Sequence, residues 1–300
     1  MSETIQSAHQ GANINTDFSL VIVSWNVRER LRENLLALRS CGGASFEVIV
    51  VDNNSADTTI DMLRNDFPEV TLIANNENVG FGRACNQGLK VAGGDYLVLL
   101  NPDMKIQPST LSDLKTWLDA NQQADVTGIK LVDEQGKILP HVRRFPRLLD
   151  QLAIILKLPH LFPHLLDAYL RKTFNYEAAA QVDSIRGAFF VIRRSALEKF
   201  GLLDERYFLW FEEVDYCRTV QQSGGQVWYT PSATCTDYVG ASFNQVGRGL
   251  KQKYFRESML KYFMKWGGAG EVLLLRSAWL VADVIMALAG LLKLKARTRT

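Results

Sequence analysis

The strongest constraint in this chain is a rhythm. Over residues 18–132, short runs rich in β-branched residues (FSLVIV, FEVIVV, VTLIA, YLVLL and VTGIKLV) recur with amphipathic stretches between most of them. Apolar runs of this kind, bounded by polar turns, are buried strands, and alternation with helical stretches is the pattern of βαβ units. It predicts an α/β fold with a mostly parallel central sheet flanked by helices. Pro108 supports it, standing where a first helical turn would begin shortly after the strand that ends at Leu100.

The rest of the chain divides around this block. Residues 1–17 are polar and lack the cationic and apolar regions of a secretory signal, so they are expected to be a flexible leader. Residues 133–182 break the rhythm with HVRRFP and a leucine-rich stretch interrupted by Pro159 and Pro163, as an insertion or lid would. Strand and helix signals resume over residues 183–266. AFFVIRR reads as a strand, a short helix begins at Ser195, and the acidic segment FEEVDYCRTVQQSGG stops at Gly224 and Gly225. A last strand, QVWYT, is expected to close at Pro231.

Residues 267–300 form a C-terminal helical tail, apolar almost all round over 271–294. It is long enough to span a bilayer, but Arg276 and Asp283 make spanning costly and favour a helix at a membrane interface or docked on other helices. Lys293, Lys295, Arg297 and Arg299 would attract anionic headgroups. A net charge of +2 gives no field of the kind nucleic-acid binders use. The cysteines at 41, 85, 217 and 235 form no CxxC pair and suit a reducing compartment, so a cytoplasmic location is expected.

In open α/β sheets, ligands bind at the carboxyl ends of the strands. Those ends carry Asn26, then Asp52, Asn53 and Asn54, then a glycine turn, then Asp103. Asp and Asn are also ordinary turn and cap residues, so each alone says little. Asp103 differs, because Pro102 removes a backbone donor and stiffens the approach to one carboxylate. A fixed carboxylate near a diphosphate is a ligand for Mg²⁺ or Mn²⁺. The segment NVGFGRACNQG is not a dinucleotide fingerprint, since after Gly80 and Gly82 the third glycine falls on Cys85. Gly80 and Gly82 instead suit close backbone approach to a ligand, and Asn86 with Gly88 a tight helix start.

The ordered series VIVSWN, VIVVDNNSADTT, NNENVGFGRACNQGLKVAGGDYLVLLNPD, GAFFVIRRSALEKFGLLDERYFLWFEEVDYCRTVQQSGG and YTPSA resembles the family 2 glycosyltransferases of the GT-A fold. Among them it resembles the bacterial rhamnosyltransferase-like branch that builds surface polysaccharides. The resemblance covers about residues 18–266 and makes them one GT-A domain, with residues 18–132 as the nucleotide-sugar half and 183–266 as the acceptor half. It implies that Asp52 contacts the nucleobase, with Trp25 and Asn26 in the same pocket and Asn54, Asn78, Gly80 and Phe81 beside them. NPD stands where the family carries DxD, so Asp103 would bind metal and diphosphate, with Asn101 in place of the first aspartate. Relatives place a histidine five residues before the serine of the segment TDYVGAS, and Asp237 holds that position here. Asp103 and Asp237 would then share Mg²⁺ or Mn²⁺.

The acidic segment matches the family's EDxD and implies Glu213 as catalytic base, with Glu212 and Asp215 as alternatives. The same acids would also suit a helix's first turn. Cations for the leaving group are sought at Arg248, Lys251 and Lys253, or at Arg143 and Arg144. The resemblance implies an inverting, metal-dependent transfer from dTDP-L-rhamnose to a lipid-linked saccharide. The enzyme would be peripheral on the cytoplasmic face of the inner membrane. A UDP- or GDP-sugar donor is the alternative, as is a nucleotide-binding scaffold, since Glu213 and Asp237 depart from the family pattern.

Overall fold

The computed structural model describes residues 16–238 and 247–297, apart from the side chains of Arg248 and residues 286–297. The expected leader up to residue 15 and residues 239–246 and 298–300 lie outside the described residues. The apolar runs form β1 (Phe18–Ser24), β2 (Phe46–Asp52), β3 (Thr71–Ala74), β4 (Tyr96–Leu100), the short β5 (Met104–Ile106) and β6 (Val126–Val132). Between them lie α1 (Arg28–Leu38), α2 (Thr59–Asp66), α3 (Phe81–Val91) and α4 (Thr110–Ala120). There follow α5 (Leu148–Ile155), β7 (Ala180–Gln181), β8 (Phe189–Arg193), α6 (Arg194–Phe200), α7 (Glu212–Gln222), β9 (Val227–Asp237), α8 (Arg248–Trp266) and α9 (Ala269–Arg297).

β1 pairs in parallel with β2 and β4, and β2 with β3. Helices cover both faces, so β1 and β4 are buried along their whole length and read as continuous apolar runs. Parallel pairing then gives way. β8 enters between β4 and β6 antiparallel to both, β9 is parallel to β6, and β5 and β7 run antiparallel to β9. The order is β3-β2-β1-β4-β8-β6-β9-β5, a mixed sheet whose parallel part is mainly its first half. A parallel neighbour needs a crossover that packs on the sheet, whereas α5, the α-helix between β6 and β8, packs on α9.

Two sequence expectations change here. β9 does not close at Pro231: Ile129 pairs with Thr230 and Lys130 with Thr234, so the residues between bulge out and the strand runs on to Asp237. A bulge accommodates proline's missing donor. Nor do Asn86 and Gly88 start a helix, since α3 begins at Phe81. A Cβ at Gly88 would meet Val21 Cγ1 at 2.4 Å, so glycine lets α3 lie directly on β1. Asn86 is buried and clasps the Leu203 backbone, donating to its carbonyl (2.8 Å) and accepting from its N–H (3.0 Å).

One sheet face packs on α1, α2 and α4 through Leu31, Leu35, Met62, Leu111 and Leu114; the other packs on α3, α6 and α7. A third cluster joins α8 to α9, with Met259, Tyr262 and Phe263 against Val272, Leu275, Ala278 and Ala282. The Arg256 guanidinium grips Asp283 with Nη1 on Oδ2 (2.7 Å) and Nη2 on Oδ1 (2.5 Å), so this tail charge is an inter-helix partner. Among the described residues no helix is long and apolar enough to cross a membrane. Leu273, Leu274, Leu280, Val281, Val284 and Ile285 remain exposed on the other side of α9.

Candidate active site

The carboxyl ends of β1, β2 and β4 open on a cavity of about 430 Å³. Trp25, Asn53, Asn101 and Pro102 line it from this rim, and Asn78, Gly80 and Phe81 from the start of α3. Arg186 and Gly187 before β8, residues 208–210, and the first turn of α7 form the opposite wall. Leu250 and Tyr254 of α8 close it, with Tyr254 stacked on Phe208 at 4.4 Å between ring centroids.

The acidic segment splits. Glu212 and Glu213 both line the cavity, while Asp215 faces away from it. Burial raises the Glu212 pKa well above the ordinary value, and the neighbouring Glu213 charge adds to the rise. Burial also raises Glu213, but backbone hydrogen bonding and the charges of Arg143 and Arg186 restrain it. One oxygen of each, Oε2, has no hydrogen-bond partner. Gly187 lies against Glu213, and a Cβ there would make ordinary van der Waals contact with Glu213 Cβ at 3.5 Å. A carboxylate whose pKa burial raises and that opens on a cavity is suited to accept a proton.

Asp215 is a different kind of group. It accepts from Lys265 Nζ (2.6 Å), Trp266 Nε1 (2.6 Å) and Tyr207 OH (3.2 Å), which makes it the fastening of α7 to α8. Just before α7, Trp210 and Phe211 have φ of 65° and 73°. Left-handed backbone at two bulky aromatics costs on the order of 1–3 kcal/mol each. It sends Trp210 to the cavity wall and Phe211 into the α8–α9 cluster.

Asn53, not Asp52, lines the cavity. Asp52 is fully buried, its Oδ1 accepts from Ser55 N–H (2.8 Å), and burial raises its pKa. Asn26 likewise ties loops together, donating its N–H to Ser55 Oγ (2.9 Å) and accepting from Ala56 N–H (2.7 Å). Asn54 is exposed in a left-handed turn. Gly80 makes its close approach to protein: Phe81 N–H donates to the Phe208 carbonyl at 2.7 Å, and a Cβ on Gly80 would come as near to that oxygen. Lys251 is not part of the lining, and the Arg248 side chain lies outside the described residues.

Asp103 and Asp237 are both buried, at 4% and 2% exposure. The β5–β9 pairing makes them near neighbours, with Asp237 opposite Met104 and Tyr238 N–H donating to the Asp103 carbonyl (3.2 Å). Among the described residues no group of three His, Cys, Asp or Glu side chains is placed to hold a metal ion. Two carboxylates are nevertheless the usual protein share for Mg²⁺ or Mn²⁺ when phosphate oxygens and water supply the rest, so the donor set fits. Asp237 already carries a cation, Arg186, whose Nη1 donates to Oδ2 at 2.7 Å. His141 is no candidate ligand: it is buried against the Ile129 carbonyl (2.9 Å), and burial holds its pKa down to about 4.

Sequence reasoning missed Arg186, Trp210 and Tyr254 as wall residues. For Arg186 a signal existed: it is a lone cation immediately before the small pair Gly187-Ala188 at the head of an apolar strand. For Tyr254 there was none, because its place depends on α8 folding back over the rim.

The model of the family described as "Glycosyl transferase family 2" matches residues 19–201. The chain is 26% identical over 227 residues to the N-acetylglucosaminyl-diphospho-decaprenol L-rhamnosyltransferase of Mycobacterium tuberculosis, covering 71% of this chain and 73% of that one. Among solved structures it is similar to the mannosyltransferase PcManGT from Pyrobaculum calidifontis, determined with GDP-Man and Mn²⁺. The TM-score is 0.55 at 18% identity, over 95% of this chain and 81% of that one. It is similar too to Staphylococcus aureus TarS 1-349 in complex with UDP-GlcNAc, with TM-score 0.55 and 18% identity over 88% and 70% of the two chains. At such identity the solved structures speak for the fold alone. With the family match spanning more than half of its length and the sheet built as described, the chain belongs to glycosyl transferase family 2 and is a glycosyltransferase of the GT-A fold.

Proposed function

We propose that this protein is an inverting transferase that moves L-rhamnose from dTDP-L-rhamnose to a lipid-linked saccharide in surface polysaccharide synthesis. The observation that carries the reaction type is the meeting of Glu213 with the strand-end rim in one cavity. An acceptor hydroxyl oxygen forms the new bond to the anomeric carbon as the bond from that carbon to the diphosphate oxygen breaks. The bonding pair leaves on the diphosphate, and Glu213 takes the hydroxyl proton. A divalent ion held by Asp103 and Asp237 would supply positive charge to the diphosphate. Trp25, Asn53 and Asn78 bind the nucleotide part, while Trp210 and Tyr254 wall off water on the acceptor side.

The choice of sugar and acceptor is supported by the mycobacterial relative, whose name specifies rhamnose and a diphospho-decaprenol-linked acceptor. The exposed apolar side of α9 supports work at the cytoplasmic face of a membrane, where such an acceptor resides. The test is nucleoside diphosphate release from dTDP-rhamnose, UDP-GlcNAc and GDP-mannose, each with polyprenyl-diphosphate-linked GlcNAc and with Mg²⁺, Mn²⁺ or EDTA. Preference for dTDP-rhamnose and loss of turnover in EDTA are expected. Nucleotide binding without turnover of any donor would instead establish the scaffold alternative. Replacing Leu274, Leu280 and Val281 by glutamine should release the protein from anionic vesicles in a sedimentation assay; unchanged sedimentation would remove the membrane from the proposal.

A further inference from the structure

Arg186 and Asp237 form an ion pair of unequal partners. Asp237 sits at the end of β9 with 2% of its side chain exposed, whereas Arg186 is 36% exposed and lies on the cavity wall. The carboxylate is therefore fixed and dry, and the guanidinium has one side open to whatever enters. A buried carboxylate stripped of its cation is strongly destabilising, which holds Arg186 in place until another cation takes over. The Asp103 backbone adjoins the end of β9, since Met104 pairs with Asp237 and the Asp103 carbonyl accepts from Tyr238 N–H. Together the three groups carry one net negative charge. A divalent cation on the carboxylates turns that sum to one net positive, and places two cations against Asp237. The guanidinium is then the movable one, and a planar fork of donors is well shaped for phosphate oxygens.

We propose that Arg186 is an exchangeable counter-ion. It neutralises Asp237 in the donor-free enzyme, yields that carboxylate to the divalent cation, and turns to the donor's diphosphate to stabilise the leaving group. This rests on the glycosyltransferase reading of the same cavity and adds to it the cation that the sequence did not reveal. Arg186 and Glu213 line the same cavity, so a guanidinium leaving Asp237 stays among the residues that face the reacting groups.

The test uses Mn²⁺ alone on the full-length, donor-free protein, with free ion followed by electron paramagnetic resonance. Removing the competing guanidinium in Arg186→Met should tighten Mn²⁺ binding roughly tenfold, and adding Asp237→Asn to that variant should abolish the gain. With donor, Arg186→Met should lose roughly a hundredfold in kcat. Arg186→Lys, which keeps the charge but not the fork, should hold Mn²⁺ affinity to within about twofold of wild type while losing roughly tenfold in kcat. It also serves should the Met variant misfold. Mn²⁺ affinity that is unchanged or weaker in Arg186→Met, absence of Mn²⁺ binding to any form, or kcat in Arg186→Lys equal to wild type would overturn the proposal. The Mn²⁺ titration needs no donor, so a wrong donor assignment and a wrong role for Arg186 give separable results.

Discussion

The two sides of α7 carry the same chemistry to opposite ends. Glu212 and Glu213 face a cavity, each with an oxygen lacking any hydrogen-bond partner and a pKa raised by burial. Asp215, two residues on from Glu213 and so about 160° from it around the helix, is buried but accepts from a lysine, an indole and a phenol. A carboxylate with full partners stabilises the fold and is chemically quiet; one desolvated without them is held at a cost in stability and kept reactive. One helix thus fastens α8 with one face and presents cavity-lining carboxylates with the other. The left-handed residues Trp210 and Phe211 lead directly into that helix.

That contrast can be broken most severely at Glu213. Glu213→Gln should lower kcat by roughly a thousandfold, within the range for loss of a general base, while leaving donor affinity within about twofold of wild type. Rapid-quench turnover together with nucleotide titration checks both, and near-normal kcat would return the role to Glu212. Next in size, Asp215→Ala should destabilise the fold by about 3 kcal/mol, because Lys265 and Trp266 lose their shared acceptor. Urea unfolding measures it, and kcat of the folded fraction should shift by less than about threefold. A large kcat loss with stability intact would put Asp215 back among the catalytic groups.

The smallest effect has the opposite sign. The folded-state pKa of Glu212 lies above its ordinary value of 4.5, so the folded chain binds a proton that the unfolded chain releases. Its contribution to stability is fully present below the ordinary value and is lost as pH rises through the raised one. Glu212→Gln removes that loss. It should raise Tm by about 2–4 °C at pH 8, corresponding to roughly 1 kcal/mol for a chain of this size, with the gain vanishing near pH 4. Equal Tm at both pH values would mean that Glu212 is not held against its own charge.

The α/β class and the family were legible because they rest on short-range patterns. An apolar run such as YLVLL buries on both faces wherever it sits in a parallel block, and helices between such runs have few places to go. Sequence went astray at Pro231 because a rule about one residue's missing donor says nothing of a bulge that the partner strand β6 permits.

What a pattern along the chain cannot carry is pairing across it. Arg186 meets Asp237 from 51 residues away, and Lys265 meets Asp215 from 50. Both encounters depend on strand order, on the rotation of α7 and on α8 returning over the rim. The acids at 212, 213 and 215 are indistinguishable as a string, and each lies in the first turn of one helix. Which of them faces the cavity and which fastens α7 to α8 was settled by tertiary packing, because a carboxylate's pKa and reactivity follow from its solvent and its partners rather than from its neighbours in sequence.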